Sequence, residues 1–515
     1  MSAPRGDGVA STADPAAHAH VRAYARVRRG RFGTPLPTAL AIALGAVLLR
    51  VIGGVGFANY DTLYALVWGK QLAHGHTPQY GIPFAPTPHP LVEALGFVLS
   101  PLSPRAIEDV TVALAFLALS ACAWAVYRLG ALWFNHPAGI AAALLLITRV
   151  PILSYGVRAY VDIPYLLLIL GALIVETRRR RAGAPVLALL ALAGLLRPEA
   201  WVFSGLYWLY LALTGRVPMH VFGGEGVAEP LPPRRLVSLA LIVVSAPVVW
   251  VASDWLITGD ALWSLTNTRH TALALGRETG IAKIPQYIPR RIGEILGAAT
   301  LAGATIGGTL ALWWMRGRAL LGAAAGVLAV LVFAAFATAG LPINTRYAFV
   351  PAAILCIFCG AALCGWLLLD RADPRRRWWM ALASLVVLAL LATAPSQYRT
   401  NDHELQALAR QQRIQNDLVA LVDDGSISSR CEPVGVPNHA PIPLLALWLD
   451  SDPATVVSAQ QRTLTRGTYV APATAEVRRD YILDRSERGH PVSVPADFAA
   501  TRANGSWLVF RRCRP

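Results

Sequence analysis

Charged side chains are scarce in this chain, and several of them stand in short groups beside apolar runs. Asp61 lies in NYDTLY, Arg158, Tyr160 and Asp162 in RAYVDIP, Arg197 and Glu199 in LLRPEAW, and Asn344, Arg346 and Tyr347 in NTRYAFVP. A further basic set, Arg269, His270, Arg277 and Lys283, occupies LTNTRHTALALGRETGIAKIPQYIPRR. An ionisable group at the centre of a spanning helix costs roughly 2.5–3.5 kcal/mol, so groups at its edge either reach water or line a polar cavity. The basic set suits an anionic ligand such as a lipid phosphate or diphosphate. Each group also has a plainer reading. Asp61 can cap a helix, Arg197 and Glu199 can pair with each other, and the basic segment can be a solvated lid.

The elements that must carry these groups are membrane helices. The chain has 515 residues, of which 55% are hydrophobic and 15% charged, and its mean hydropathy is +0.47, which excludes an ordinary soluble enzyme. Apolar stretches predict spans at about 37–57, 106–127, 137–153, 162–176, 184–197, 199–214, 235–257, 291–314, 318–340, 347–369 and 378–394, about eleven in all. The fold class is therefore an all-α polytopic membrane protein followed by a small α/β domain. The net charge of +16 comes from arginine clusters between apolar runs. No zinc finger, helix-turn-helix or aromatic-basic motif accompanies it, so no nucleic-acid partner is expected.

The arginines also orient the chain. Arg22, Arg26, Arg28, Arg29 and Arg31 precede the first span, and Arg178–Arg181, Arg234 with Arg235, Arg316 with Arg318, and Arg375–Arg377 fall in alternate connections. The positive-inside rule makes that side cytoplasmic. Residues 1–36 are then a basic cytoplasmic tail, 37–394 the membrane domain, and 395–515 an extracytoplasmic domain of a bacterial plasma-membrane protein. In that last domain a helix over 402–424, capped at Asn401/Asp402, and strands at 433–437, 454–458 and 506–511 are expected. Cys431 and Cys513 can pair there in an oxidising compartment. Cys122, Cys356, Cys359 and Cys364 lie in apolar runs and read as small buried hydrophobes.

All the groups singled out above then face the outer compartment, two of them in long connections. Residues 58–105 form a first outer loop, with amphipathic spacing over 61–74 that predicts a helix lying along the membrane interface. Residues 258–290 form an outer lid loop.

The N-in first span, the long loop with an early acid, the text GHTPQY, the re-entry through HPL and the later LLRPEAW and NTRYAFVP together resemble the GT-C superfamily of membrane glycosyltransferases, over roughly residues 37–370. The resemblance implies a polyprenyl-phosphate sugar as donor, a lipid or glycan acceptor of the cell envelope, and an early-loop acid as general base. Asp61 matches that acid. Arg346, followed by Tyr347, matches the arginine-tyrosine pair near the lipid phosphate, and Arg269, His270 and Arg158 stand behind it as substrate-binding candidates. Asp162 resembles a second acid of the superfamily and could orient substrate, or hold Mg or Mn together with Asp61. Some members place two acids together in the first loop, whereas here Tyr60 and Thr62 flank Asp61, so no resident metal is assigned. His89 is a candidate proton relay or hydrogen-bond donor.

The expected activity is inverting transfer of one sugar, hexosyl or pentosyl and mannosyltransferase-like, to an envelope acceptor at the outer membrane face. The alternative from another class is a transporter or flippase that binds a lipid-linked glycan without chemistry. A translocator needs polar residues at the midplane of its spans, which this chain largely lacks.

Overall fold

The structure is a computed structural model that describes residues 35–214, 229–481 and 493–513. The arginines of the N-terminal tail lie outside the described residues. Fifteen helices come first: α1 (Pro35–Gly53), α2 (Tyr60–Ala73), α3 (Pro90–Leu99), α4 (Pro104–Trp133), α5 (His136–Ile147), α6 (Val150–Val157), α7 (Asp162–Arg178), α8 (Ala184–Gly194), α9 (Glu199–Leu213), α10 (Pro233–Thr258), α11 (Trp263–Ala274), α12 (Ile284–Trp314), α13 (Arg316–Thr338), α14 (Phe349–Cys364) and α15 (Pro374–Asp423).

Every apolar stretch singled out in the sequence is helical, but the expected count of eleven full spans is not reproduced. Seven helices among the described residues are long and apolar enough to cross a membrane, or eight if α5 and α6, bent by 66° to each other, form one span. Helices α7, α8 and α9 have 17, 11 and 15 residues. They are short because the chain turns at Arg158–Asp162 and again at Arg197–Glu199, where charged side chains interrupt the apolar run. The bend between α5 and α6 has a polar brace. Arg149 is buried there and donates to the carbonyl oxygens of Leu145 and Leu296 at 2.9 and 2.8 Å. Leu296 precedes Gly297, whose φ of 71° breaks α12, so the guanidinium satisfies a carbonyl at the helix break.

Small residues set the helix packing. A Cβ on Gly307 of α12 would lie 2.0 Å from the Phe358 carbonyl oxygen of α14, and one on Gly303 would lie 2.6 Å from Cys359 Sγ. Backbones in contact are the usual solution where lipid offers no hydrophobic drive to associate. Cys356 and Cys359 are buried and unbridged in this interface, as small apolar side chains are.

Helix α2 does not lie along an interface. Its residues from Thr62 to Gln71 are buried, and Trp68 is wholly enclosed. The helix α3 covers one side and a C-terminal helix, α16 (Ile442–Trp448), covers another. Amphipathic spacing identified the helix but could not show that both faces would be covered.

The expected helix over 402–424 is the last part of α15, which runs unbroken for 50 residues. Asn401 and Asp402 therefore cap nothing, and the boundary expected at 394/395 falls inside one helix. A five-stranded sheet follows in the order β2-β1-β3-β5-β4, with β1 (Val434–Val436), β2 (Val456–Ser458), β3 (Gly467–Pro472), β4 (Ala499–Ala503) and β5 (Trp507–Arg512). β1 is parallel to β2 and β3, and β5 is antiparallel to β3 and β4. The strands expected near 433, 454 and 506 are β1, β2 and β5, whereas β3 and β4 were not foreseen. Cys431 and Cys513 are disulfide-bonded.

Gly69 of α2 packs directly on α3, where an added Cβ would meet the Glu93 carbonyl oxygen at 2.1 Å. Gly69→Leu is therefore expected to force α2 from its place and to destabilise the protein by about 1–3 kcal/mol or more. A thermal unfolding scan in detergent checks this, and an unchanged midpoint would contradict the packing.

Candidate active site

Five charged side chains from four chain segments meet at one end of the helix bundle. Arg346, in a 3-10 turn (Thr345–Ala348) before α14, reaches Asp61 Oδ2 with Nη1 at 2.9 Å. The same nitrogen lies 3.9 Å from Asp162 Oδ2. Arg197 pairs with Asp162 through Oδ1 and with Glu199 at 2.6 Å. The run of charge is thus Asp61, Arg346, Asp162, Arg197, Glu199, alternating in sign. Each carboxylate stands in the first turn of a helix, α2, α7 or α9, where the helix dipole favours negative charge.

Asp61 is free for this role because it is not the cap of α2. Asn59 is the N-cap, its side-chain oxygen accepting from the Asp61 and Thr62 backbone N–H groups at 2.8 and 3.2 Å. Burial pushes the Asp61 carboxyl up, but the Arg346 charge and hydrogen bond, with help from His89 and Arg277, hold it below the usual carboxylate range. The pair's contribution to stability is therefore complete above the ordinary carboxylate value and fades as pH falls through the folded one.

His89 is buried with Nδ1 2.8 Å from the Leu196 carbonyl oxygen. Burial, with the nearby charges of Arg346 and Arg197, lowers its pKa to about 4 against the opposing pull of Asp61. It is neutral at pH 7, Nδ1 must carry the proton that it donates to Leu196, and Nε2 is left as an acceptor. The residue expected as a donor thus offers a lone pair.

The loop RAYVD is stapled beside Asp61. Asn59 donates from its backbone and from Nδ2 to the Arg158 carbonyl oxygen at 3.0 and 2.9 Å. Thr62 Oγ1 donates to the Ala159 carbonyl at 2.7 Å, and Ala159 takes a left-handed φ of 53°. The Arg158 guanidinium lies 5.2 and 5.0 Å from the Tyr155 and Tyr160 rings. Tyr347 lies under the Arg197 guanidinium at 4.2 Å.

These residues line a cavity of about 720 Å³, with Asp61, His89, Arg158, Asp162, Arg346 and Tyr347 all on its wall. Arg269 and His270 are not on it. Arg269 donates to the Ala339 carbonyl at 2.6 Å, and His270 is exposed on α11. Arg277, from the same segment, lines the cavity instead. Arg197 and Glu199, which the sequence offered as a mere pair, join the network, and His439 of the C-terminal domain closes the wall, stacked on Phe84 at 4.8 Å. Nothing in the local text around His439 signalled that position. Leu275, Ala335, Phe336 and Leu341 add apolar lining to the cavity.

A divalent cation fits these residues poorly. Among the described residues no group of three or more His, Cys, Asp or Glu is placed to hold a metal. The Arg346 guanidinium already stands between Asp61 and Asp162. Asp162 Oδ2 and Arg346 Nε are buried without a hydrogen-bond partner among the described residues.

No protein-family model and no curated protein matches the chain. Solved structures do. The crystal structure of ArnT from Cupriavidus metallidurans bound to undecaprenyl phosphate has a TM-score of 0.52 and 14% identity, covering 93% of this chain and 98% of that one. The Archaeoglobus fulgidus oligosaccharyltransferase tethered to an acceptor peptide with the NVT sequon has a TM-score of 0.44 and 14% identity, covering 85% and 69%. Archaeal AglB from the same organism, in complex with an inhibitory peptide and a dolichol-phosphate, has a TM-score of 0.43 and 14% identity, covering 82% and 64%. The likeness to ArnT establishes the fold: this is a multi-pass membrane protein with the overall fold of that structure.

Arg197→Met leaves Asp162 and Glu199 buried without their common cation and is expected to destabilise the protein by about 3–5 kcal/mol. Adding Asp162→Asn and Glu199→Gln should recover most of the loss. Unfolding midpoints of the single and triple variants test this, and equal midpoints would contradict the pairing.

Proposed function

We propose that this GT-C-fold protein is a membrane glycosyltransferase that moves one sugar from a polyprenyl-phosphate donor to a hydroxyl of an envelope acceptor. The observation that carries the reading is the partly buried Asp61–Arg346 pair, 2.9 Å apart, on the wall of a cavity that also has apolar lining. Fold alone does not give function. The pairing of a carboxylate with a cation beside room for a lipid does point to acid-base chemistry on a lipid phosphate. The undecaprenyl phosphate held by the ArnT structure of the same fold supports that donor class.

In the proposed reaction the acceptor oxygen attacks the anomeric carbon while the bond from that carbon to the phosphate oxygen breaks, its electron pair leaving with the phosphate. The configuration inverts. Asp61 takes the proton of the attacking hydroxyl, and Arg346 with Arg158 neutralises the departing phosphate. Asp61 is a weak base while Arg346 holds it. Once the guanidinium turns to the phosphate, burial is the dominant influence left and the carboxylate becomes a stronger proton acceptor. His89 Nε2 is available to accept a hydrogen bond from a sugar hydroxyl. A guanidinium in the place of a metal makes the transfer independent of divalent cations in this reading. The disulfide of the C-terminal domain supports placing the cavity end in an oxidising, extracytoplasmic compartment.

Asp61→Asn is expected to lower the transfer rate by about 10²- to 10⁴-fold with donor binding retained. The assay supplies polyprenyl-phosphate sugars to the purified protein in bilayer discs. Unimpaired transfer by the variant would remove Asp61 from its role, and donor binding without turnover by the wild type would favour a translocator.

The pH dependence has a definite sign. With Arg346 holding Asp61 below the usual range, kcat/KM should stay flat as pH falls to about 4. Arg346→Leu leaves burial unopposed by its main partner, so the acid limb should move upward along with the loss of rate. A limb that stays put would show that another group titrates. Treatment with a chelator should leave the wild-type rate unchanged, and a loss restored by Mg or Mn would overturn the guanidinium assignment.

A further inference from the structure

A second cavity, of about 740 Å³, lies beside the first between α1, α4 and the last turns of α15. Phe57, Gln415 and Leu444 line both cavities and so form the partition between them. Phe57 precedes Asp61 by four residues in an extended strip that Gln412 clamps through both Gly56 backbone groups, at 3.2 and 2.8 Å.

Helix α1 supplies an entrance. Leu40, Leu44, Val47, Leu48, Val51 and Ile52 are each more than half exposed, and only 6% of the helix's apolar window is buried in the protein. Such a surface is surrounded by lipid chains. Val47 and Val51 of that face also line the second cavity, so the way in from the hydrocarbon passes over them.

The rim of this cavity is polar and nearly balanced in charge, with Arg50, Arg105, Asp109, Asn416 and Asp423 exposed. Arg105, Glu108 and Asp109 come from α4, Asn416 and Asp423 from α15, and Trp448 from α16. Arg105 bridges to Asp423 at 3.0 Å and lies 5.3 Å over the Trp448 ring, while Trp448 Nε1 donates to Glu108 Oε2 at 3.3 Å. Two arginines, Arg50 and Arg105, against three carboxylates give no preference for an anion. Donors and acceptors interleaved around an indole suit a hydroxylated ring. On the partition, Gln415 Oε1 is buried without a hydrogen-bond partner among the described residues.

We propose that this second cavity binds the acceptor as a lipid-anchored, polyhydroxylated headgroup, with its hydrocarbon chain along α1 and a hydroxyl reaching Asp61 past Phe57 and Gln415. The role as acceptor rests on the glycosyltransferase reading, whereas the binding stands on the cavity itself. The two ligands then approach the base from separate sides, the phosphate from the arginine wall and the hydroxyl from the partition.

The test uses the full chain in lipid discs and a dodecyl glucoside with a diazirine at the end of its alkyl chain, followed by mass-spectrometric mapping. Crosslinks are expected on α1 and α4 near Val47, Val51, Val112 and Leu117. Excess dodecyl maltoside should compete them away, and dodecyl phosphate or free glucose should not. Ala113→Trp, which fills the cavity, should weaken labelling by about tenfold, equivalent to roughly 1.4 kcal/mol of binding, while undecaprenyl phosphate still raises its melting temperature. Should that variant fail to fold, Asn416→Leu should weaken labelling in the same direction. Equal competition by dodecyl phosphate, by free glucose or by no compound would overturn the proposal, in favour of an anion site, a soluble sugar or bulk lipid respectively. Sugar-dependent labelling without any glycosyl transfer would sink the enzymatic reading and leave the site. Transfer without such labelling would do the reverse.

Discussion

One guanidinium shared between two carboxylates organises this protein. Arg346 faces Asp61 and Asp162, Arg197 ties Asp162 to Glu199, and all five charges are largely withdrawn from water. A buried charge is tolerable only when it is paired. The first turns of α2, α7 and α9 and the turn before α14 must therefore converge on one place, because displacement of any of them strands a charge. Helix dipoles add to the constraint, since three helix N-termini carry the three acids.

Neighbouring groups relieve these residues of structural duties. Asn59 caps α2 and holds the Arg158 carbonyl, leaving the Asp61 carboxylate for Arg346. His89 gives its one proton to a backbone carbonyl and presents its other nitrogen to the cavity. The segment 258–290 and helix α12 hold the Arg346 turn: Ile343 N–H donates to the Glu278 carbonyl at 2.8 Å, and Thr345 Oγ1 donates to Glu294 of α12 at 3.2 Å. The polar site is thus built from helix N-termini and the turns before them, while small residues of α12 and α14 let those helices pack closely.

The C-terminal domain is part of the site and not an appendage. The long helix α15 leaves the membrane segment without a break, lines both cavities with Gln415, and carries the sheet that places α16 on α2 and His439 on the cavity wall. Gln71 donates to Asp452 at 2.7 Å across the same junction. Asp61 at the start of α2 is therefore held between the membrane helices and the sheet domain.

The sequence by itself determined the solvent, the helices and the types of side chain. Apolar run length located the membrane helices but not α3 or α16, and the rarity of charge beside those runs picked out Asp61, Arg158, Asp162 and Arg346, because an ion beside hydrocarbon needs a reason to be there. Composition could not say which ions meet. Arg269 and His270 looked equivalent to Arg277 in one basic segment, yet the turn after α11 sends Arg277 alone to the cavity wall. Asp61 read equally well as a cap until Asn59 was seen to hold that position. The burial of α2, the continuity of α15 and the entry of His439 were decided only by the tertiary structure. Local periodicity reports which residues share a face, whereas contacts between segments hundreds of residues apart depend on how whole helices pack.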